Sequence, residues 1–520
     1  MAFLQNHLLS WILFTPALAA VVILFFPKEK ANFHRWFAFI ASLVPLALSI
    51  WLWAAFNPNA AGFQFQEQAP WFTAVHSTYH LGVDGIALTM VLLTTLLTSA
   101  ALLASFSIQE RVQTYMVLFL LMETGMLGVF MALDLVFFYV FWEVSLIPMF
   151  FLISQWGSEK GVRVWGRKRE AKERDYAAFK FLLYTMAGSL GLLAAIFLLG
   201  MVSGSFDLPT VMAHWKTVGG ALWGIPVATI KAIVFWAFVI AFAIKVPVWP
   251  FHTWLPDAHT AAPTPGSMIL AGVMLKLGAF GFLRFILPLY PEQAKIFAGA
   301  LAFLGMMSIV MGAFASFGQT DFKRLVAYSS VNHMGFVILG IAAAAYAVSA
   351  DPTTAAIALN GAVLQMFNHG LSAAGMFFLV GVIYERAHTR DLREFGGLWP
   401  LVPVYGGILL FTSMASLGLP GLNGFVSEFL VVRGAWPVFT LFTALSMLGL
   451  LFTGGYILKG LRDVLQGPLN TRWVGHLTDI SVREIAVIAP LMVLMLWIGI
   501  WPMWILDVIN KAAVHLLALL

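Results

Sequence analysis

Several ionisable side chains stand inside apolar runs, where a charge needs a reason: Glu123, Glu143, Lys245, Lys276, His333, His369 and Glu428. Even on a lenient insertion scale, a charge at a bilayer centre costs about 2.5–3.5 kcal/mol. Such groups therefore face a partner or a polar cavity and commonly mark ion or proton paths. This set supplies the acids, amines and imidazoles that a proton relay uses. Glu143 lies in FFYVFWEVSLIP and Lys245 two residues before Pro247. Burial favours the neutral form of each and pairing the charged form, so making and breaking a contact would drive proton capture and release. The alternative is a permanent ion pair that locks two helices, although desolvation can cancel much of its Coulomb gain.

Lys276, in MILAGVMLKLGAF, has no acidic neighbour at helical spacing. It is either a relay amine in a hydrated channel or a structural hydrogen-bond donor. His333 in SSVNHMG and His369 in QMFNHGLSAAG can each carry a proton near neutral pH. Asn332, Gln365, Asn368 and Ser372 offer polar company for a water chain; a satisfied structural histidine is the competing reading. Glu428 follows the glycine-rich stretch GLPGLNGF, where unwound backbone can hold water, and is expected to be the last protein group before proton exit. Glu123 and Asp134 are expected at an interface or in a helix-packing hydrogen bond.

The elements that must position these groups are membrane spans. Apolar stretches of about 20 residues, each able to cross roughly 30 Å of hydrocarbon, fill nearly the whole chain. Hydropathy places them near 8–26, 36–54, 86–105, 114–132, 134–153, 178–202, 230–258, 266–287, 294–314, 325–347, 357–383, 402–432, 438–459 and 485–508. The expectation is an all-α integral membrane protein of about 14 spans, forming a single polytopic domain over residues 1–520. The first run has no positive segment before it and no cleavage pattern after it, and reads as a retained span. The seventh span is interrupted by Pro247, Pro250 and Pro256, and the twelfth by Gly418, Pro420, Gly421 and Gly424, so both should be broken helices. Spans 4–8 (114–287) and 9–13 (294–459) each carry a broken helix as fourth member. That pattern is the mark of two inverted five-helix repeats with the site at the breaks.

Composition agrees. Hydrophobic residues make up 61% of the 520 positions and charged residues 10%, which excludes a water-soluble fold. Of the 29 Lys and Arg, 21 fall in loops and helix ends reached by the odd-numbered spans and 6 on the other side. The positive-inside rule makes the odd side cytoplasmic and puts both termini on the outer, periplasmic side of a bacterial-type inner membrane. The formal charge of +5 follows from this topology and needs no nucleic-acid partner. The longest polar insert, Gly157 to Asp175, reads as a solvated loop or amphipathic helix, with a lipid or subunit contact as the alternative; the other connections are expected to be short. With no cysteine there is no thiolate metal site, and no GxGxxG or P-loop is present, so no redox cofactor is expected on this chain.

The stretch PFHTWLPDAHTAAPTP, Pro250 to Pro265, resembles the proton-translocating antiporter-like subunits of respiratory complex I and their Mrp antiporter relatives. The resemblance continues through Lys276, DFKRLVAYSSVNHMGF (Asp321 to Phe336), HGLSAAGMFF (His369 to Phe378) and YERAHTRDL (Tyr384 to Leu392), and covers about residues 80–460. PDAHTAAPT and Glu428 are similar to the M type, since L and N types usually carry a lysine in the twelfth helix. The resemblance implies Glu143 and Lys245 as a paired input, Lys276 as central relay, His333 and His369 beside it, and Glu428 as output. It also implies L- and N-type neighbours, surrounding lipid, and other subunits that hold NADH (or ferredoxin), flavin, iron–sulfur clusters and quinone. The charged insert departs from the pattern and puts only its local structure and contacts in doubt. A subunit of an Mrp-type Na⁺/H⁺ antiporter or of a membrane-bound hydrogenase is the alternative function. A scaffold whose buried charges only fix helix packing is the alternative of another class.

Overall fold

The computed structural model describes residues 6–163 and 170–520. Eighteen helices are labelled here: α1 Leu8–Leu24, α2 Ala31–Ala55, α3 Gly85–Ala104, α4 Val112–Met131, α5 Leu135–Trp156, α6 Glu173–Ser203, α7 Leu208–Thr217, α8 Val227–Lys245 and α9 Trp254–Ala261, followed by α10 Thr264–Leu289, α11 Ala298–Phe317, α12 Phe322–Ala347, α13 Pro352–Ala387, α14 Pro403–Leu417, α15 Asn423–Ala435, α16 Thr440–Leu465, α17 Val482–Ile500 and α18 Met503–Leu517. Among the described residues 12 helices are long and apolar enough to cross a membrane; α1 and α14 are shorter apolar helices. In hydrocarbon the backbone must satisfy its own hydrogen bonds, which is why apolar sequence of this length becomes helix. The most apolar part of α10 and of α13 is wholly buried, and that of α12 nearly so, whereas α2, α6, α16 and α17 are mostly exposed on the flanks. The buried polar residues therefore gather on the central helices, away from lipid.

Both expected breaks are present. α8 stops at Lys245 and the chain resumes helix only at Trp254, because Pro247 and Pro250 have no N–H to continue the ladder. The carbonyl of Ile244, freed by the break, accepts from the Trp254 indole at 2.9 Å. α14 ends at Gly418, whose φ of +81° reverses the chain before α15. Pro256 and Gly424 lie in the first turns of α9 and α15, where neither interrupts the helix. The last expected span is shorter than its hydropathy suggests. α17 ends at Ile500, and Pro502 separates it from α18, because the residue before a proline is pushed out of helical conformation.

The connection between α2 and α3 is not short. It holds an antiparallel hairpin of β1 Gln64–Phe72 and β2 Ser77–Val83. Glu67 ties this hairpin to α1 by accepting from Leu9 N at 2.7 Å. In the charged insert, Gly161–Arg163 pairs with Glu170–Lys172 in a second small hairpin, in place of a loop or helix. Arg167, Lys168 and Arg169 of that insert lie outside the described residues.

One backbone pattern occurs twice, at opposite ends of the bundle. On the hairpin face, Leu135 N donates to Phe206 O at 2.9 Å and Leu208 N to Leu133 O at 2.8 Å, so that Asp134 bridges Asp207. On the face that carries the 157–175 insert, Phe322 N donates to Arg390 O and Leu392 N to Thr320 O, both at 2.8 Å, so that Asp321 bridges Asp391. All four aspartates cap the helical turns that follow them, by accepting from backbone N–H groups.

Candidate functional site

Lys276 is fully buried on α10, between two π-helical turns, Leu270–Met274 and Phe282–Ile286. A π turn displaces carbonyls from the α ladder and often occurs at functional sites. Here the ammonium of Lys276 donates to Ala271 O at 2.5 Å, five residues back, and meets Nδ1 of His369 at 2.7 Å. At that separation the amine and the imidazole form a hydrogen bond. The other ring nitrogen of His369, Nε2, has no protein partner. The rings of His369 and His333 lie 5.7 Å apart between centroids.

His333, on α12, puts Nδ1 2.9 Å from Oε1 of Glu428 on α15, while Nε2 lies 3.3 Å from the Tyr456 hydroxyl on α16. Both His333 and Glu428 are about nineteen-twentieths buried. A belt of amides fixes this geometry. Gln365 Nε2 donates to Glu428 Oε1 at 3.4 Å, Ser427 Oγ donates to Gln365 Oε1 at 2.5 Å, and Asn368 Nδ2 donates to Ser427 Oγ at 2.9 Å and to Asn423 O at 2.7 Å. Asn332 turns elsewhere and donates to Thr453 at 2.7 Å. The second carboxylate oxygen of Glu428 lies against the α14–α15 break: a Cβ on Gly418 would sit 2.9 Å from it. Four of the six residues singled out as the relay, Lys276, His369, His333 and Glu428, thus form one line across α10, α13, α12 and α15.

The other two are near each other without touching. Lys245 and Glu143 form no ion pair within 4.0 Å. The Lys245 ammonium sits 5.0 Å from the centre of the Trp142 ring and has no hydrogen-bond partner, nor has Glu143 Oε1. Successive residues on a helix point about 100° apart, so when Trp142 faces α8, Glu143 is turned aside. α10 comes close here as well, since a Cβ on Gly278 would lie 3.0 Å from Lys245 Cβ. Glu123 is fully buried on α4 and neither carboxylate oxygen has a protein partner, so it lies neither at an interface nor in a helix-packing hydrogen bond. Asp134 does sit at a span end, capping α5 and accepting from Ser77 Oγ at 2.9 Å.

Two residues escaped the reading of the sequence as individual groups. His259, quoted there only inside PDAHTAAPT, is fully buried on α9, with neither ring nitrogen bonded and its face stacked on Phe377 at 4.3 Å. Lys323, counted only as a loop cation, is buried at the start of α12, donates to Ala262 O, and lines a cavity of about 270 Å³ together with Glu159, Tyr384 and Arg390. Arg390 in turn bonds Thr260 O and pairs with Asp321 at 3.1 Å. The usable signal was the spacing within HTWLPDAHTAAP, which puts a second imidazole on the short helix after the break.

Residues 132–453 match the family model described as NADH:quinone oxidoreductase/Mrp antiporter, transmembrane region. The chain is 39% identical to "NADH-quinone oxidoreductase subunit M" of Rhodobacter capsulatus, with 98% of this chain and 96% of that protein covered. Among solved structures it is similar to a chain of respiratory complex I from Thermus thermophilus with bound NADH, at a TM-score of 0.84 and 27% identity over 98% of this chain and 99% of that one. A chain of the Mrp complex from Dietzia shares the fold, at a TM-score of 0.79 and 23% identity, with 97% of this chain and 52% of that one covered.

Proposed function

Because the chain belongs to the NADH:quinone oxidoreductase/Mrp antiporter membrane family, we propose that the buried line from Lys276 to Glu428 is the proton path of an M-type antiporter-like subunit of complex I. It is a multi-pass integral membrane protein that works with other antiporter-like membrane subunits of that complex, as part of a translocase. Full-length identity of 39% to a subunit M favours complex I over a stand-alone antiporter or a hydrogenase subunit. Flavin, iron–sulfur clusters, NADH and quinone belong to other subunits, and this chain carries protons only.

The single observation that carries the reading is the contact of Lys276 with His369 at 2.7 Å, continued through His333 to Glu428. Protons enter from the face bearing the 157–175 insert, by way of the cavity at Lys323, and reach Lys276. They pass along the histidines to Glu428, at the second break. Glu143 and Lys245 form a switchable input: with Trp142 between α5 and α8 the pair is open, and closing it would favour both charges and push the Lys276 proton onward. The work is done against about 2.3 kcal/mol per charge per 100 mV of membrane potential.

The duplicated backbone pattern at Asp134/Asp207 and Asp321/Asp391 supports two inverted five-helix repeats, 114–287 and 294–459. With α1 and the broken α14–α15 pair counted beside the 12 long helices, the described residues make up fourteen spans, both termini facing the outer side of a bacterial inner membrane. The test is Lys276→Ala in the assembled complex. NADH-driven proton translocation into sealed vesicles should fall by about a hundredfold, the scale of losing one positioned proton-transfer group. Unchanged translocation by a fully assembled variant would exclude the path.

A further inference from the structure

On the hairpin face, away from the proton path, a cavity of about 320 Å³ lies between the beginning of α3, the end of α10 and α18. Its walls are apolar, with Phe63, Phe280, Leu283 and Val508 among them. One buried cation lines it. Arg284 is 6% exposed, pairs with Asp84 through both terminal nitrogens at 2.9 and 3.0 Å, and lies 4.6 Å from the Phe63 ring and 4.9 Å from the Phe280 ring. The pair is self-neutral, yet the Nε–H of Arg284 has no acceptor in the protein.

We propose that this cavity is a phospholipid site, with an acyl chain in its apolar part, an ester carbonyl accepting from Arg284 Nε, and the phosphodiester at the rim beside His515. Three observations point to that occupant. Water needs two to four polar partners per molecule, and these walls cannot supply them for a volume of this size. The chain belongs to a bilayer, where hydrocarbon is the solvent that fills dry apolar space. The cavity adjoins a tryptophan cluster: Trp504, one turn before the lining residue Val508 on α18, packs on Trp53 at 5.4 Å and on Trp497 at 4.9 Å, and tryptophans gather at the headgroup boundary. At the rim, the Lys216 ammonium that binds the carbonyl of Leu519 complements a phosphodiester, and the His515 ring offers it a hydrogen-bonding partner. A bound lipid would join α18 to α3 and to the loop before the β1–β2 hairpin.

The intact complex, reconstituted with phospholipid brominated in its acyl chains, tests this by electron cryomicroscopy. Bromine density is expected in the cavity of the unaltered complex. It should be lost in Ala61→Trp and Ala518→Trp, each of which fills the cavity from an exposed rim position while leaving NADH oxidation unchanged. Water-like peaks, an empty cavity, or density from detergent or quinone in the unaltered complex would overturn the assignment. So would bromine density undiminished in both variants.

Discussion

At the level of single residues, the chemistry depends on which buried groups touch. Lys276 was recognisable as an amine without an acid, and what it has instead is an imidazole 2.7 Å away and a carbonyl within a π turn. His333 and Glu428 are direct partners, while Glu143 and Lys245, the pair the resemblance implies, are held apart with Trp142 against the ammonium. If those two act on one proton step, removing both should cost no more than removing the worse one. Glu143→Gln, Lys245→Ala and the double variant should each lower NADH-driven proton translocation by about tenfold to a hundredfold, without multiplying. Rates in sealed vesicles check this, and a product of the two single losses would assign the residues to separate steps. Asp207 bears on stability at the hairpin face. Burial pushes its carboxyl up, but hydrogen bonds from His80 Nδ1 at 2.6 Å and from the Thr210 hydroxyl and amide outweigh it and hold it below the ordinary 3.8. A carboxyl depressed on folding stabilises the native state above its unfolded value, and that contribution is lost as pH falls through the folded value. Asp207→Asn should therefore cost about 1–2 kcal/mol at neutral pH and flatten the loss of stability below about pH 4. Thermal unfolding followed across pH would show it, and an unaltered acid limb would contradict it.

At the level of elements, the breaks matter more than the spans. Pro247 and Pro250 end α8 next to Lys245, and Gly418 ends α14 next to Glu428, so each interruption lies beside a titratable group. Gly418 has two duties, a φ of +81° and room for the Glu428 carboxylate, whereas Gly421 has a φ of +95° with nothing within 4 Å. Alanine at either position incurs backbone strain of about 1–2 kcal/mol, but only Gly418→Ala also pushes Glu428 from its seat on His333. Proton translocation should fall about tenfold in Gly418→Ala and far less in Gly421→Ala. Equal losses would mean that strain alone is felt. The prolines and glycines of the breaks were legible because each alters backbone geometry by itself. The β1–β2 hairpin was not, since the polar-flanked run from Gln64 to Val83 borrows its stability from α1, whose Leu9 N–H donates to Glu67, and from Asp134 and Asp207 far along the chain.

At the level of the whole molecule, the repeated aspartate bridges at opposite ends supply an internal check on topology. The absence of cysteine makes sidedness directly measurable. A membrane-impermeant maleimide should label Trp71→Cys on the hairpin face in intact cells, and Glu159→Cys on the insert face only in inverted vesicles. Labelling of both from one side would refute an inverted arrangement. The chain's own residues determined that it lives in a bilayer, where its helices are interrupted, and which ionisable groups sit among apolar neighbours, because hydropathy, proline and glycine act over a turn or two of backbone. Only the tertiary structure decided that Lys276 meets His369, that His333 meets Glu428, that Glu143 misses Lys245, and that His259 and Lys323 lie beside the line. Those facts depend on the rotation of one helix against another, and rotation is settled by packing among residues about a hundred positions apart.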